Sequence, residues 1–95
     1  MSKENSEEFY KRLRIQLEEN SSWPSTYLYK FIVPTDQAKI DQIYAIFDQN
    51  GAVIESKKSK NGNYTSVSIT VTMKDPDAVI AKYIEVSAVE GVISL

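Results

Sequence analysis

The sequence predicts an α+β domain of the ferredoxin-like βαββαβ kind. This is a four-stranded antiparallel sheet with two helices on one face, preceded here by an N-terminal helix. Three observations predict it. From Tyr27 to Leu95 the hydrophobic pattern runs strand, helix, strand, tight turn, strand, helix, strand. Asn61-Gly62 divides two strand-like runs, and that pair is the strongest short-range hairpin signal. Two strand–helix–strand units with right-handed crossovers then set both helices over the same side of one sheet.

Asn5 to Glu19 reads as the N-terminal helix. Asn5 is a suitable N-cap, and Glu8 stands three residues on at the capping-box position. Phe9, Leu13 and Leu17 form one apolar stripe, with Tyr10 beside it. Such a stripe must cover something, either its own domain or a partner. Asn20-Ser21-Ser22 ends the helix, and Trp23-Pro24 imposes an extended entry into the first strand. The chain therefore divides into a helical extension and linker, 1–24, and a ferredoxin-like domain, 25–95.

Ser25 to Val33 reads as that strand. Tyr27, Tyr29, Phe31 and Val33 lie on one face, Leu28, Lys30 and Ile32 on the other. A strand apolar on both faces is expected at the centre of a sheet, covered on both sides. The N-terminal helix is accordingly expected over Leu28 and Ile32. Pro34-Thr35-Asp36 stops the strand and caps a helix from Gln37 to Gln49, whose buried face is Ile40, Ile43, Tyr44 and Phe47. Asn50-Gly51 ends it.

Ala52 to Lys60 and Asn63 to Met73 are the second and third strands, joined by a two-residue type I′ turn at Asn61-Gly62. That turn pairs Tyr64 with Ser59, Val67 with Ser56, Ile69 with Ile54 and Val71 with Ala52. Val67, Ile69, Val71 and Met73 then point inward, Ser66, Ser68, Thr70 and Thr72 outward. Asp75-Pro76-Asp77 opens the last helix as N-cap, N1 proline and first-turn acid. Its expected inward stripe is Ile80, Tyr83, Ile84 and Ser87, flanked by Val79 and Val86. Gly91 releases the chain into a short edge strand, Val92 to Leu95.

Composition narrows the function classes. The 42% hydrophobic and 25% charged fractions are those of an ordinary globular domain. No apolar run approaches the roughly 20 residues that cross a bilayer, so no membrane is expected. Met1 to Glu8 carry acids instead of a basic, apolar leader, and the expected location is the cytoplasm. A net charge of −2 argues against nucleic acid and anionic membranes as partners. Lys57, Lys58 and Lys60 cluster at the hairpin, where they suit a solvated tip that discourages edge pairing better than a phosphate-binding patch, since three lysines give only a small electrostatic term.

With no His and no Cys, the Ser-His-acid and Cys-His arrangements and the common zinc sites are excluded. Helix capping accounts for Asp75 and Asp77, which leaves no metal pair there. The head of Lys30 is expected to reach solvent while its stem covers apolar surface. The chain is expected to be no enzyme, with no catalytic, cofactor-binding or metal residues.

Three stretches resemble a known family. Tyr29-Lys30-Phe31 is similar to the aliphatic-Lys-aliphatic strand of the small bacterial YbeD-like family, a domain of unknown function. Asn61 to Ile69 matches its hairpin strand, and Glu90-Gly91-Val92-Ile93-Ser94-Leu95 its close. The likeness runs from Tyr27 to Leu95, while Met1 to Ser22 departs from the shorter family pattern. It implies a ferredoxin-like fold akin to amino-acid-binding ACT regulatory domains, and no catalytic residues.

These readings leave a small non-enzymatic regulatory or protein-interaction module, with a protein partner or a second copy of itself. Its expected surfaces are the stripe Phe9, Leu13 and Leu17, the outward sheet residues Leu28, Lys30, Ile32 and Tyr64, and Lys57, Lys58 and Lys60. The short uncharged edge Val92 to Leu95 offers backbone to a partner strand. The alternative is an ACT-like sensor with a small-molecule effector, an amino acid or metabolite, at Val33-Pro34-Thr35-Asp36. That loop lacks the Gly such sites commonly use. An RNA platform needs stacking rings where the outward face has Ser66 and Ser68, so RNA is the weaker expectation.

Overall fold

The computed structural model describes residues 6–47 and 51–95. Its seven elements are, in order, α1 (Ser6–Asn20), β1 (Ser25–Pro34), α2 (Gln37–Phe47), β2 (Val53–Lys58), β3 (Tyr64–Met73), α3 (Pro76–Ser87) and β4 (Ile93–Ser94). The strands form one antiparallel sheet in the order β2-β3-β1-β4, the ferredoxin-like arrangement with the first and third strands central. The expected N-cap Asn5 and the expected end of α2 at Asn50 lie outside the described residues.

The register of the hairpin is the expected one, with Ser56 opposite Val67 and Ile54 opposite Ile69. Its turn is not type I′. The Gly62 N–H donates to the Ser59 carbonyl at 2.9 Å, which centres the turn on Lys60 and Asn61. Type I′ needs positive φ at both central residues, and here Gly62 has φ +80° while Asn61 has no positive φ. The Asn61 side chain holds the bend instead, accepting from the Asn63 N–H and the Ser59 hydroxyl.

One face of the sheet carries the core. Tyr29, Phe31 and Val33 of β1 and Val67, Ile69, Val71 and Met73 of β3 are buried against Ile43 and Phe47 of α2 and Val79 and Val86 of α3. Strand alternation selects the members from β1 and β3. Asp75 caps α3 as expected, its Oδ1 accepting from the Ala78 N–H at 2.8 Å. Of the expected inward stripe of α3, Ile80 is buried and Tyr83 packs against the core, but Ile84 and Ser87 turn outward. Val79 and Val86 are fully buried, whereas Ile84 is half-exposed and Ser87 exposed. The physical reason is a second neighbour: α3 turns one apolar row to the sheet and presents Ile80 and Ile84 beside α1.

That neighbour corrects a further expectation. α1 packs along α3 and does not lie over Leu28 and Ile32. The linker explains the placement. The Trp23 indole N–H donates to the Leu17 carbonyl at 3.1 Å, and Leu17 and Trp23 both join the margin of the core. Arg14 meets Asp77 of α3 at 3.2 Å. Covering Leu28 and Ile32 would also have buried the ammonium of Lys30 between them, a cost that the uncharged Ile80 and Ile84 do not impose.

Candidate functional site

Among the described residues the second face of the sheet is open, because α2 and α3 cover the first and α1 lies beside α3. The pairing arranges its side chains in three rows across the strands. The first row is Val53, Thr70 and Leu28, the second Glu55, Ser68 and Lys30, and the third Lys57, Ser66, Ile32 and Ile93. Leu95 joins the middle row, its N–H donating to the Lys30 carbonyl at 2.9 Å. Tyr64 stands beyond the third row, opposite Pro34.

These apolar residues face solvent. Leu28 is 54% exposed, Val53 63%, Tyr64 49% and Ile93 53%. Exposed apolar side chains gathered on one sheet face and interleaved with polar ones suit a contact surface. Lys30 sits among these apolar residues, two residues from Leu28 and two from Ile32 on one strand face.

A shallow concavity crosses the two rows that carry charge, lined by Lys30, Glu55, Lys57, Ser66 and Ser68. A neighbouring one shares Lys57 and Ser66 and is completed by Ile32, Lys58, Ser59, Lys60 and Tyr64. Sequence reasoning sets Leu28, Lys30, Ile32 and Tyr64 on a common face, and the structure brings them together there with Lys57. Lys58 alternates to the other side of β2, near Asp41 and Tyr44 of α2, and at the end of the strand also borders the hollow of Ile32 and Tyr64. Lys60 is in the turn.

The remaining expected residues separate from this face. Leu17 packs at the core margin, Leu13 is half-buried, and Phe9 is 49% exposed with its ring edge-on to Tyr10 at 5.5 Å. Sequence reasoning treats Ile93 and Leu95 only as a strand edge, yet both add side chains to the open face. A strand of two residues has no alternation to reveal that; its register against Ile32 does.

The loop after β1 is occupied by its own hydrogen bonds. The Thr35 N–H donates to the Asn63 carbonyl at 3.0 Å, its hydroxyl pairs with that of Thr65 at 2.9 Å, and Asp36 Oδ1 accepts from the Ala38 N–H. Among the described residues no three Asp or Glu side chains come together to hold a metal ion. No described helix is long and apolar enough to cross a membrane.

The fold and this surface define a ferredoxin-like α+β domain with one sheet face left to solvent. The chain belongs to the family described as "Protein of unknown function (DUF493)", which matches residues 18–95. It is similar to a UPF0250 protein of Shewanella woodyi, 29% identical over 83 residues that cover 84% of this chain and 94% of that one. A UPF0250 protein of Shewanella putrefaciens is 26% identical with the same coverage. This is the YbeD family that the hairpin and the closing strand resemble. No solved structure matches the chain.

Proposed function

We propose that this chain is a small cytoplasmic, non-enzymatic regulatory or protein-interaction module that works through the open face of its sheet. The observation that carries the reading is the exposure of Leu28, Val53, Tyr64 and Ile93 on a face that none of the three helices covers. Burying such side chains stabilises an association by roughly 25 cal/mol per Å² of apolar area, before the entropy of binding is subtracted. The absence of His and Cys from the sequence supports a role without side-chain catalysis. The engaged groups of Thr35 and Asp36 favour contact through the sheet over an effector in the loop after β1.

Site-specific photo-crosslinking in cells tests it. A crosslinker at Leu28 is expected to trap a protein, one at exposed Ala81 on α3 is not, and Ile32→Asp is expected to abolish the Leu28 adduct. Equal trapping at both positions, or none at Leu28, overturns the reading. Sedimentation of the same variants tells a second copy of this chain from another protein.

A further inference from the structure

We propose that the partner presents a carboxylate next to an apolar side chain, and that Lys30 and Lys57 receive the carboxylate while Ile32 and Tyr64 receive its neighbour. The inference rests on the open face as a docking surface and adds the chemistry of what docks.

Lys30 supplies the first argument. It stands between Leu28 and Ile32, so a partner that covers both also covers the ammonium. A buried ammonium without an acceptor is strongly destabilising, so the partner must bring one to that point. Charge supplies the second. Lys30 and Lys57 line one concavity, and neither has a carboxylate within ion-pair distance among the described residues.

Glu55 lines the same concavity, but Ser68 stands between it and Lys30, so the two are separated by two strand spacings, roughly 9.6 Å. Across the two adjoining concavities Lys30, Lys57, Lys58 and Lys60 stand against one carboxylate, Glu55, an excess of positive charge on a chain whose net charge is −2. That excess calls for an acidic group on the partner. The Ser68 hydroxyl adds a donor on the floor, whereas Ser66 already donates to the Lys57 carbonyl at 3.3 Å.

Geometry supplies the third argument. The adjoining concavity is walled by Ile32 and Tyr64 and shares Lys57 and Ser66 with the first. The rows of Lys30 and Ile32 lie two residues apart along β1, about 6.7 Å. An extended segment repeats on one side at that interval, and a helix turn comes near it. An acidic residue followed at either interval by a large apolar one therefore fills both hollows at once. The central Glu55 and the single outward ring of Tyr64 make a polyphosphate strand a poor fit.

The test uses the full chain labelled for amide NMR and four probes: an acetylated peptide alternating Glu and Leu, its Lys and Leu counterpart, oligouridine, and phosphatidylglycerol vesicles. The acidic peptide is expected to move the amides of Lys30, Ile32, Lys57, Ser66 and Ser68, and to weaken with salt. Lys30→Glu with Lys57→Glu is expected to reduce its affinity at least tenfold and to admit the basic peptide. Both lysines are exposed, so the double variant is expected to fold, which its amide spectrum shows directly.

The inference is overturned if the basic peptide binds the native chain as well as the acidic one. Unchanged affinity in the double variant, or amide shifts with RNA or vesicles alone, overturns it too. Silence with all four probes does the same. Crosslinking at Leu28 that survives the lysine reversals but not Ile32→Asp leaves the docking face standing and removes only its acidic partner.

Discussion

The hydroxyls of Tyr27 and Tyr83 lie 2.8 Å apart, joining the first strand of the sheet to the helix that covers it. Tyr29 adds a second tie, donating to the Val79 carbonyl at 3.0 Å, and its ring meets that of Tyr83 edge-on at 5.0 Å. Burial pushes the ionisation of both Tyr29 and Tyr83 well above the ordinary tyrosine value. The hydrogen bond to Tyr27 adds to the shift of Tyr83, and the proximity of Tyr27 and Glu85 to that of Tyr29.

Alkaline stability is tied to those shifts. In the unfolded chain these phenols lose their protons near pH ~10, while in the fold they keep them to higher pH. Above that point the unfolded state holds fewer protons than the native one, so stability falls as pH rises; below it the contribution is fully present. Urea midpoints are expected to be level at neutral pH and to drop above about pH 10. Tyr83→Phe should lower the neutral-pH stability by about 1 kcal/mol and flatten the alkaline decline. A variant with the native slope would show that Tyr83 does not carry it.

The cap of α3 gives a cleaner chemical contrast. Asp75→Ala removes the acceptor of the Ala78 N–H and is expected to cost about 1 kcal/mol. Asp75→Asn keeps an acceptor of the same reach and is expected to retain most of the stability. Thermal melts of the two variants side by side measure the difference. Equal losses would mean that charge at the helix N-terminus matters more than the hydrogen bond.

The sheet was legible because strand alternation has one solution here. Val67, Ile69 and Val71 must share a side, and the short connection between the strands sets Ser56 opposite Val67. Lys30 and Leu28 could be placed on the open face for the same reason. What the residues could not state was which surface the stripe of α1 covers, since a stripe requires a partner without naming it. Nor do the residues state that Ile84 turns outward, because it is as apolar as Val79 and Val86. Asn61-Gly62 suits more than one bend, and the Asn61 side chain decides between them.

Gly91 is expected to be far less replaceable than Gly62. A Cβ at Gly91 would stand 3.0 Å from Pro34 Cγ and 3.1 Å from its Cδ, atoms of a ring that cannot swing aside. At Gly62 a Cβ meets nothing within 4 Å, so only its positive φ resists substitution. Gly62→Ala should therefore cost about 1–2 kcal/mol, the strain of a left-handed residue. Gly91→Ala should cost more by about 1–3 kcal/mol of overpacking, and should loosen the Ile93 pairing with Ile32. Denaturant midpoints and the Ile93 amide shift report the two effects.

The attachment of α1 rests on apolar contact more than on charge. Arg14 and Asp77 are 46% and 77% exposed in their side chains, and such a pair contributes below about 1 kcal/mol. Leu17 is half-buried at the core margin, and its carbonyl receives the Trp23 indole. Leu17→Ala is thus expected to cost about 2 kcal/mol, the lower end of the range for a buried leucine, and Arg14→Ala less than half of that. Deleting residues 1–22 removes both contacts and uncovers the flank of α3 around Ile80, so the melting temperature should fall further than in either variant. Sedimentation should meanwhile show no change of oligomeric state. The opposite result, unchanged melting with lost self-association, would assign Phe9, Leu13 and Leu17 to a second molecule instead of to α3.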